Sequence, residues 1–245
     1  DGLMPLICIY STFLQRGFDQ IIHDVAIQDL KIVLCLDRAG LVGEDGAPQH
    51  GVFDVGYLRM IPGMVLMQPM NGAELRDMLW TAAHLDHAGP IAVRYPRSAV
   101  PEDTLPDGDP RVLELGRSET LRAGGDVTLF ALGTMVAPSL AAAELLAADG
   151  ISATVVNARF ACPLDETAIS GLARSTGRIV TGEGSRAIDS VFAVPLCAGF
   201  TDVAGAAVSL AGTGGLVTTG GAAGAVPGTT DVDAAGDTSC ETFIA

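Results

Sequence analysis

KIVLCL, residues 31–36, is apolar at every position after Lys31. A short run of that kind reads as a strand buried on both faces. Upstream, PLICIY (5–10) is a second such run, and between the two Phe13, Phe18, Ile21, Ile22, Val25 and Ala26 recur at helical spacing. Downstream, MVLM (64–67) and IAVRY (91–95) repeat the strand signal. A helix over 72–85 separates them, and Asn71 with Glu74 three residues on marks its N-cap. Strands that alternate with helices and are apolar along their whole length indicate a parallel α/β sheet covered on both faces. Ligands of such sheets gather at the carboxyl ends of the strands.

A second alternating set follows: VTLFAL (127–132), an Ala/Leu-rich helix over 134–149, ISATVV (151–156), a helix over 165–174 and RIVTG (178–182). Between the sets, PEDTLPDGDP (101–110) holds three prolines and four acids, the composition of a linker. The expected organisation is therefore two parallel-sheet α/β domains, over 1–98 and 117–245, joined by a linker over 99–116. From Val203 to Gly228, 15 of 26 residues are Ala or Gly. Gly this dense raises the entropy cost of ordering and leaves little side chain to pack, so the chain is expected to be loosely ordered after about 203.

The 245 residues carry 14 bases against 29 acids, a formal charge of −15. That balance repels a phosphate polymer and an anionic membrane surface, which argues against nucleic-acid and membrane partners. The charge is uneven, with seven bases against eleven acids over 1–98 and seven against eighteen over 99–245. An anionic ligand is thus expected on the first domain. Five cysteines, widely spread and never in a CxxC pair, argue against a disulfide framework or a zinc site and for a reducing, cytoplasmic setting. No apolar run of about 18 residues occurs that is free of charge and of Gly/Pro breaks.

Thirteen of the fourteen bases are arginine, whose planar fork suits phosphate or carboxylate. Arg38, just after the second strand, and Arg94, in the last strand of the first domain, are placed to clamp a phosphate. Each could instead pair with a nearby carboxylate, Asp37 or Asp45. Asp45 and His50 share a Gly-flanked loop, where an imidazole can exchange protons with a small substrate or stand as an ordinary surface residue. Tyr10 and Phe13 either line a pocket or fill the core. His23, His84 and His87 fall on helices without a partner at metal spacing and read as structural.

The wording of the chain says more than its periodicity. IYSTFLQRGFDQIIHDVAIQ (9–28), LDRAGLVGEDG (36–46), GVFDVGYLRMIPGM (51–64) and AVRYPRS (92–98) closely resemble the 1-deoxy-D-xylulose-5-phosphate synthase family. LFALGTMVAPSLAAAELLAADGISATVVNARFACPLDE (129–166) looks like that family's transketolase-type C-terminal domain, so the resemblance covers about 5–183. It implies a thiamine-diphosphate enzyme that decarboxylates pyruvate and joins the two-carbon unit to glyceraldehyde 3-phosphate, for isoprenoid, thiamine and pyridoxal synthesis. It also implies a homodimer, or a separate chain supplying an N-terminal domain. Carried over by residue, Phe13 would pack on the cofactor's aminopyrimidine, and Tyr10 and Arg16 would line the cofactor and substrate cavity. Arg38 and Arg94 would hold the aldehyde's phosphate, with Asp45 beside them.

Two departures qualify the resemblance. The family loop reads DG-x-T-H-x-G, whereas here Gln49 stands at the histidine's place and His50 comes one position late, after Pro48. His50 is the candidate proton carrier. The Mg²⁺-diphosphate site and the glutamate that activates the cofactor belong to the family's preceding portion, and the expectation is that these 245 residues are a fragment, inactive alone. SRAIDSVFAVPLCAGF (185–200) replaces the family's Gly-rich segment after VTGEG (180–184), which reads as degeneration or a reading-frame disturbance. The alternatives are another transketolase-type enzyme subunit, or a non-catalytic remnant that serves dimerisation or partner binding.

Overall fold

The computed structural model describes residues 3–100, 108–183, 207–212 and 215–219. β1 (Leu6–Tyr10) leads into a helical run made of α1 (Ser11–Leu14), a 3-10 turn at Gln15–Gly17, α2 (Phe18–Gln20) and a π turn at Ile21–Ala26. β2 (Ile32–Asp37), α3 (Asp54–Leu58), β3 (Val65–Met67), α4 (Gly72–His84) and β4 (Pro90–Arg94) complete the first half. The second half runs β5 (Glu119–Arg122), β6 (Val127–Ala131), α5 (Val136–Ala148), β7 (Ala153–Asn157), β8 (Phe160–Cys162), α6 (Glu166–Thr176) and β9 (Arg178–Gly182). β10 (Ala207–Gly212) and β11 (Gly215–Thr219) follow.

Local chemistry sets the element ends. Asn71 caps α4 by accepting the Glu74 N–H at 2.9 Å, and Asp165 caps α6 by accepting that of Ala168 at 3.0 Å. Gly177, at φ 67°, takes the left-handed conformation that closes α6. α5 begins after a 3-10 turn at Gly133–Met135, two residues later than the expected helix over 134–149, and its Pro138 lies in the first turn, where no intrahelical N–H is needed.

The strands form two sheets in which parallel pairing dominates. The first has the order β1-β2-β4-β3-β8 and the second β11-β10-β9-β6-β7-β5. β8 is the departure from a simple tandem of domains: it comes from the second half of the chain yet pairs antiparallel with β3 of the first sheet. Short elements such as β5, β8 and α3, of three to five residues, carry too little periodicity to be expected from sequence. Within the Gly-rich stretch after 203, Val208, Leu210, Leu216 and Val217 stand in paired strands, β10 running parallel to β9. The rest of that stretch, the expected degeneration over 185–200 and the linker residues 101–107 lie outside the described residues.

One apolar cluster joins the two sheets. Leu34, Leu36, Leu58 and Leu66 from the first half share it with Phe130, Leu132, Val156 and Ala161 from the second. A polar seam reinforces the junction: the buried Glu74 carboxylate of α4 accepts Arg159 Nε at 2.9 Å and Asn157 Nδ2 at 2.8 Å. Gly133, at φ 60°, lies so close to Gln68 that an added Cβ would come within 2.3 Å of that side chain. Among the described residues no helix is long and apolar enough to cross a membrane.

Candidate active site

β1, β2 and β4 are mutually parallel, so their carboxyl ends open on one side of the sheet. Tyr10 ends β1 in register with Asp37, which ends β2. The next residue, Arg38, adopts φ 59°, a left-handed turn uncommon for a side chain of this size, which starts the loop to Gly51. That turn stacks the guanidinium on the Tyr10 ring, 3.9 Å from its centroid. Arg38 Nε donates to Asp45 Oδ2 at 2.8 Å, and Nη1 donates to Asp37. The Asp45 hydrogen bond holds Arg38 more firmly protonated than a free arginine, although burial opposes it.

Asp45 is shared. Its Oδ1 accepts Nη1 of Arg97 at 2.7 Å, so one carboxylate spans two guanidiniums that approach from the ends of β2 and β4. Beside this cluster opens a cleft of about 550 Å³, lined by Asp37, Asn71, Tyr95, Arg97, Val100 and Thr134 among others. Thr134 brings the second half of the chain to the cleft wall. A guanidinium has five N–H donors, and the contacts named use only Nε and Nη1 of Arg38 and Nη1 of Arg97.

Arg94 is not part of this cluster. It is fully buried and forms a two-pronged pair with Asp54, through Nε at 3.1 Å and Nη2 at 3.0 Å. Nη1 donates to Gln68 Oε1, and Nη2 also reaches the Gly51 carbonyl at 3.3 Å. Each guanidinium nitrogen has a partner inside the protein and the side chain has no exposed surface, so Arg94 does not line the cleft. Arg94 was expected to hold ligand; the base that faces the cleft is Arg97, three residues on, which is half exposed. Arg97 lies in the quoted AVRYPRS string, and its signal was to be the first base beyond β4.

The loop positions its own residues similarly. Gly40 and Gly51 exchange backbone hydrogen bonds at 2.8 and 2.9 Å, which pinches the loop shut. Gly51 has no room for a side chain, since a Cβ would sit 2.5 Å from both the Arg38 carbonyl and Ser11 Oγ. His50 Nδ1 accepts the Val42 N–H at 3.2 Å, so the imidazole braces the loop from within. Gln49 faces α1, where its Oε1 accepts the Thr12 hydroxyl at 3.0 Å.

Phe13 stacks on Tyr10 with ring centroids 5.0 Å apart and an interplanar angle of 13°, and 45% of it is exposed. The pair makes an open aromatic step between α1 and the arginine cluster, and Arg16 is exposed on the turn after α1. An aromatic ring fits such a step. Among the described residues no group of three or more His, Cys, Asp or Glu is placed to hold a metal ion.

Residues 1–103 match the transketolase pyrimidine-binding domain, and residues 116–193 match the transketolase C-terminal domain. The chain is 58% identical over 185 residues to the 1-deoxy-D-xylulose-5-phosphate synthase of Gloeobacter violaceus, covering 75% of this chain and 28% of that protein. It is 57% identical over 184 residues to that of Thermomicrobium roseum, covering 75% of this chain and 29% of that one. The chain thus spans less than a third of the length of these curated relatives. A solved structure described as a split gene transketolase, inactive beta4 tetramer, superimposes with a TM-score of 0.73 at 31% identity, over 86% of this chain and 67% of that one. The two domain matches and the superposition agree, and the chain belongs to the transketolase family.

Proposed function

We propose that the chain is the pyrimidine-binding and C-terminal part of a 1-deoxy-D-xylulose-5-phosphate synthase, which joins two carbons of pyruvate to glyceraldehyde 3-phosphate with loss of carbon dioxide. The observation that carries this reading is Asp45 held between Arg38 and Arg97, with Arg97 on the wall of a cleft. Two guanidiniums on one face suit a phosphate monoester, which takes up N–H donors in pairs. Asp45 keeps both forks aimed before substrate arrives, and its carboxylate can accept a hydroxyl of the bound sugar phosphate. Tyr10 supports Arg38 from below.

Thiamine diphosphate is the cofactor of this reading, and when bound it supplies the carbanion that the chemistry needs. The Phe13–Tyr10 step is where its pyrimidine would rest, with Arg16 nearby on the same turn. The magnesium and diphosphate ligands are assigned to a further domain or chain. Gln49 and His50 divide what one loop histidine would do: Gln49 faces α1, and His50 holds the loop. His50 is retained as the proton carrier only through its Nε2. The same reading places the protein in the cytoplasm, as a dimer, in isoprenoid, thiamine and pyridoxal synthesis, on the strength of its likeness to the synthases.

One observation favours a second reading. The solved relative is described as an inactive tetramer of a split-gene product. On that reading this chain alone self-associates without activity and works with a separate partner. Titration of glyceraldehyde 3-phosphate against the chain, followed by calorimetry, tests the site. Binding that inorganic phosphate displaces supports the first reading; no binding, together with a tetramer in light scattering, supports the second.

A further inference from the structure

Two of the chain's cysteines lie side by side. Cys8 of β1 and Cys35 of β2 are register partners on adjacent parallel strands. Partners of this kind project from the same face of the sheet with their Cα atoms about 4.8 Å apart. A disulfide bridges Cα separations of roughly 4.4–6.8 Å, so the backbone already meets its main requirement. The two thiols differ in access, Cys8 being exposed and Cys35 buried.

We propose that Cys8 and Cys35 form a reversible dithiol site that takes small-molecule disulfides and soft thiophiles, Cys8 receiving the reagent and Cys35 closing the ring. Neither thiol belongs to the arginine cluster, so the site stands whether or not that cluster takes a sugar phosphate. The Cys8 thiolate attacks one sulfur of a disulfide RSSR; the S–S bond breaks, Cys8–S–SR forms, and RS⁻ leaves to take a proton from water. Cys35 then gives up its proton and attacks Cys8 Sγ, and the second RS⁻ departs. The two thiols have lost two electrons and two protons, and RSSR has become two RSH.

Side-chain environment supports this division of labour. Burial pushes the Cys35 thiol up to about 11, and the neighbouring Cys8 adds to it through its charge and a hydrogen bond between the two groups. Cys35 therefore waits as a thiol, protected until a mixed disulfide forms next to it. Burial, and after it the charges of Cys35, Asp37 and Cys8, push the phenol of Tyr95, a wall residue of the cleft, up to about 12. The site also sits on a weakly held element, since among the described residues β1 is the end strand of its sheet and pairs with β2 alone. A bond between Cys8 and Cys35 would staple that strand two residues before Tyr10.

The test uses the whole chain, reduced and then incubated with oxidised glutathione, alkylated and mapped by mass spectrometry. The expected result is an intramolecular cross-link between the Cys8 and Cys35 peptides, reversed by dithiothreitol, with slower amide exchange in β1. Cys8→Ser should abolish it, and Cys35→Ala should stop the reaction at a glutathione adduct on Cys8. If Cys35→Ala does not fold, the exposed Cys8→Ser variant and stoichiometric capture of phenylarsine oxide by the reduced wild type decide the matter. A wild-type product that stops at the Cys8 adduct, or links Cys8 to Cys162, Cys197, Cys240 or another molecule, overturns the proposal.

Discussion

Arg94 and Asp54, neither with any exposed side-chain surface, face each other through two N–H···O bonds of 3.1 and 3.0 Å. A pair this deep is costly to desolvate, and breaking it leaves one uncompensated charge. Arg94→Met is expected to lower stability by about 3–5 kcal/mol in urea unfolding. Replacing both partners, as Arg94→Met with Asp54→Leu, should recover a large part of that loss. A cost below about 1 kcal/mol for the single variant would show that the pair does not hold the fold together.

Gly51 links this pair to the ligand loop, because its carbonyl receives Arg94 while its Cα lies against Ser11 and Arg38. A methyl group has nowhere to go. Gly51→Ala is expected to cost about 1–3 kcal/mol by overpacking and to loosen the loop, seen as faster amide exchange from Ala39 to Val52.

At the arginine cluster, Arg97→Ala and Arg38→Ala should each weaken glyceraldehyde 3-phosphate binding about 10- to 100-fold, the worth of a charge-assisted hydrogen bond or two. Calorimetric titration of both variants beside Arg174→Ala, an exposed arginine on α6, gives the comparison. Equal losses in all three would point to a general charge effect in place of a site.

Asp165 makes stability depend on acid. Burial disfavours its charge, but the N–H groups of Ser118 and Ala168, the Ser118 hydroxyl and Arg117 outweigh that and hold its carboxyl below the ordinary value. A carboxyl lowered in the folded state stabilises fully above its unfolded value, about 4, and the contribution disappears as pH falls through the folded value. Urea midpoints measured downward from neutral pH should fall in that acid range. Asp165→Asn should show a shallower fall.

The strand β2 and the helix α4 are legible in the sequence because each carries a strong local signal, a continuous apolar run in one and an Asn71 cap in the other. Arg38 can be placed at a strand end from position, since a parallel sheet puts strand ends on one side, whereas the candidate roles of Tyr10 and Asp45 came through the resemblance. The choice between Arg94 and Arg97 is not legible. IAVRY is apolar on both faces, so it shows no alternation from which to tell the direction of its last side chain. Which way Gln49 and His50 point is not legible for a related reason: two 3-10 turns, at Gly43–Asp45 and Ala47–Gln49, set their directions. β8 is three residues long, and its partner lies about 95 residues earlier in the chain, a pairing that no local pattern announces.

That pairing also says what counts as a unit. Because β8 closes the edge of β3, and Phe130 and Leu132 share a cluster with Leu34 and Leu36, neither half can be released without stripping the other of a strand and part of its interior. A chain divided between the two halves would yield two products that must find each other in the cell to be worth making, and a mutation at one side of the seam would be felt as instability of both.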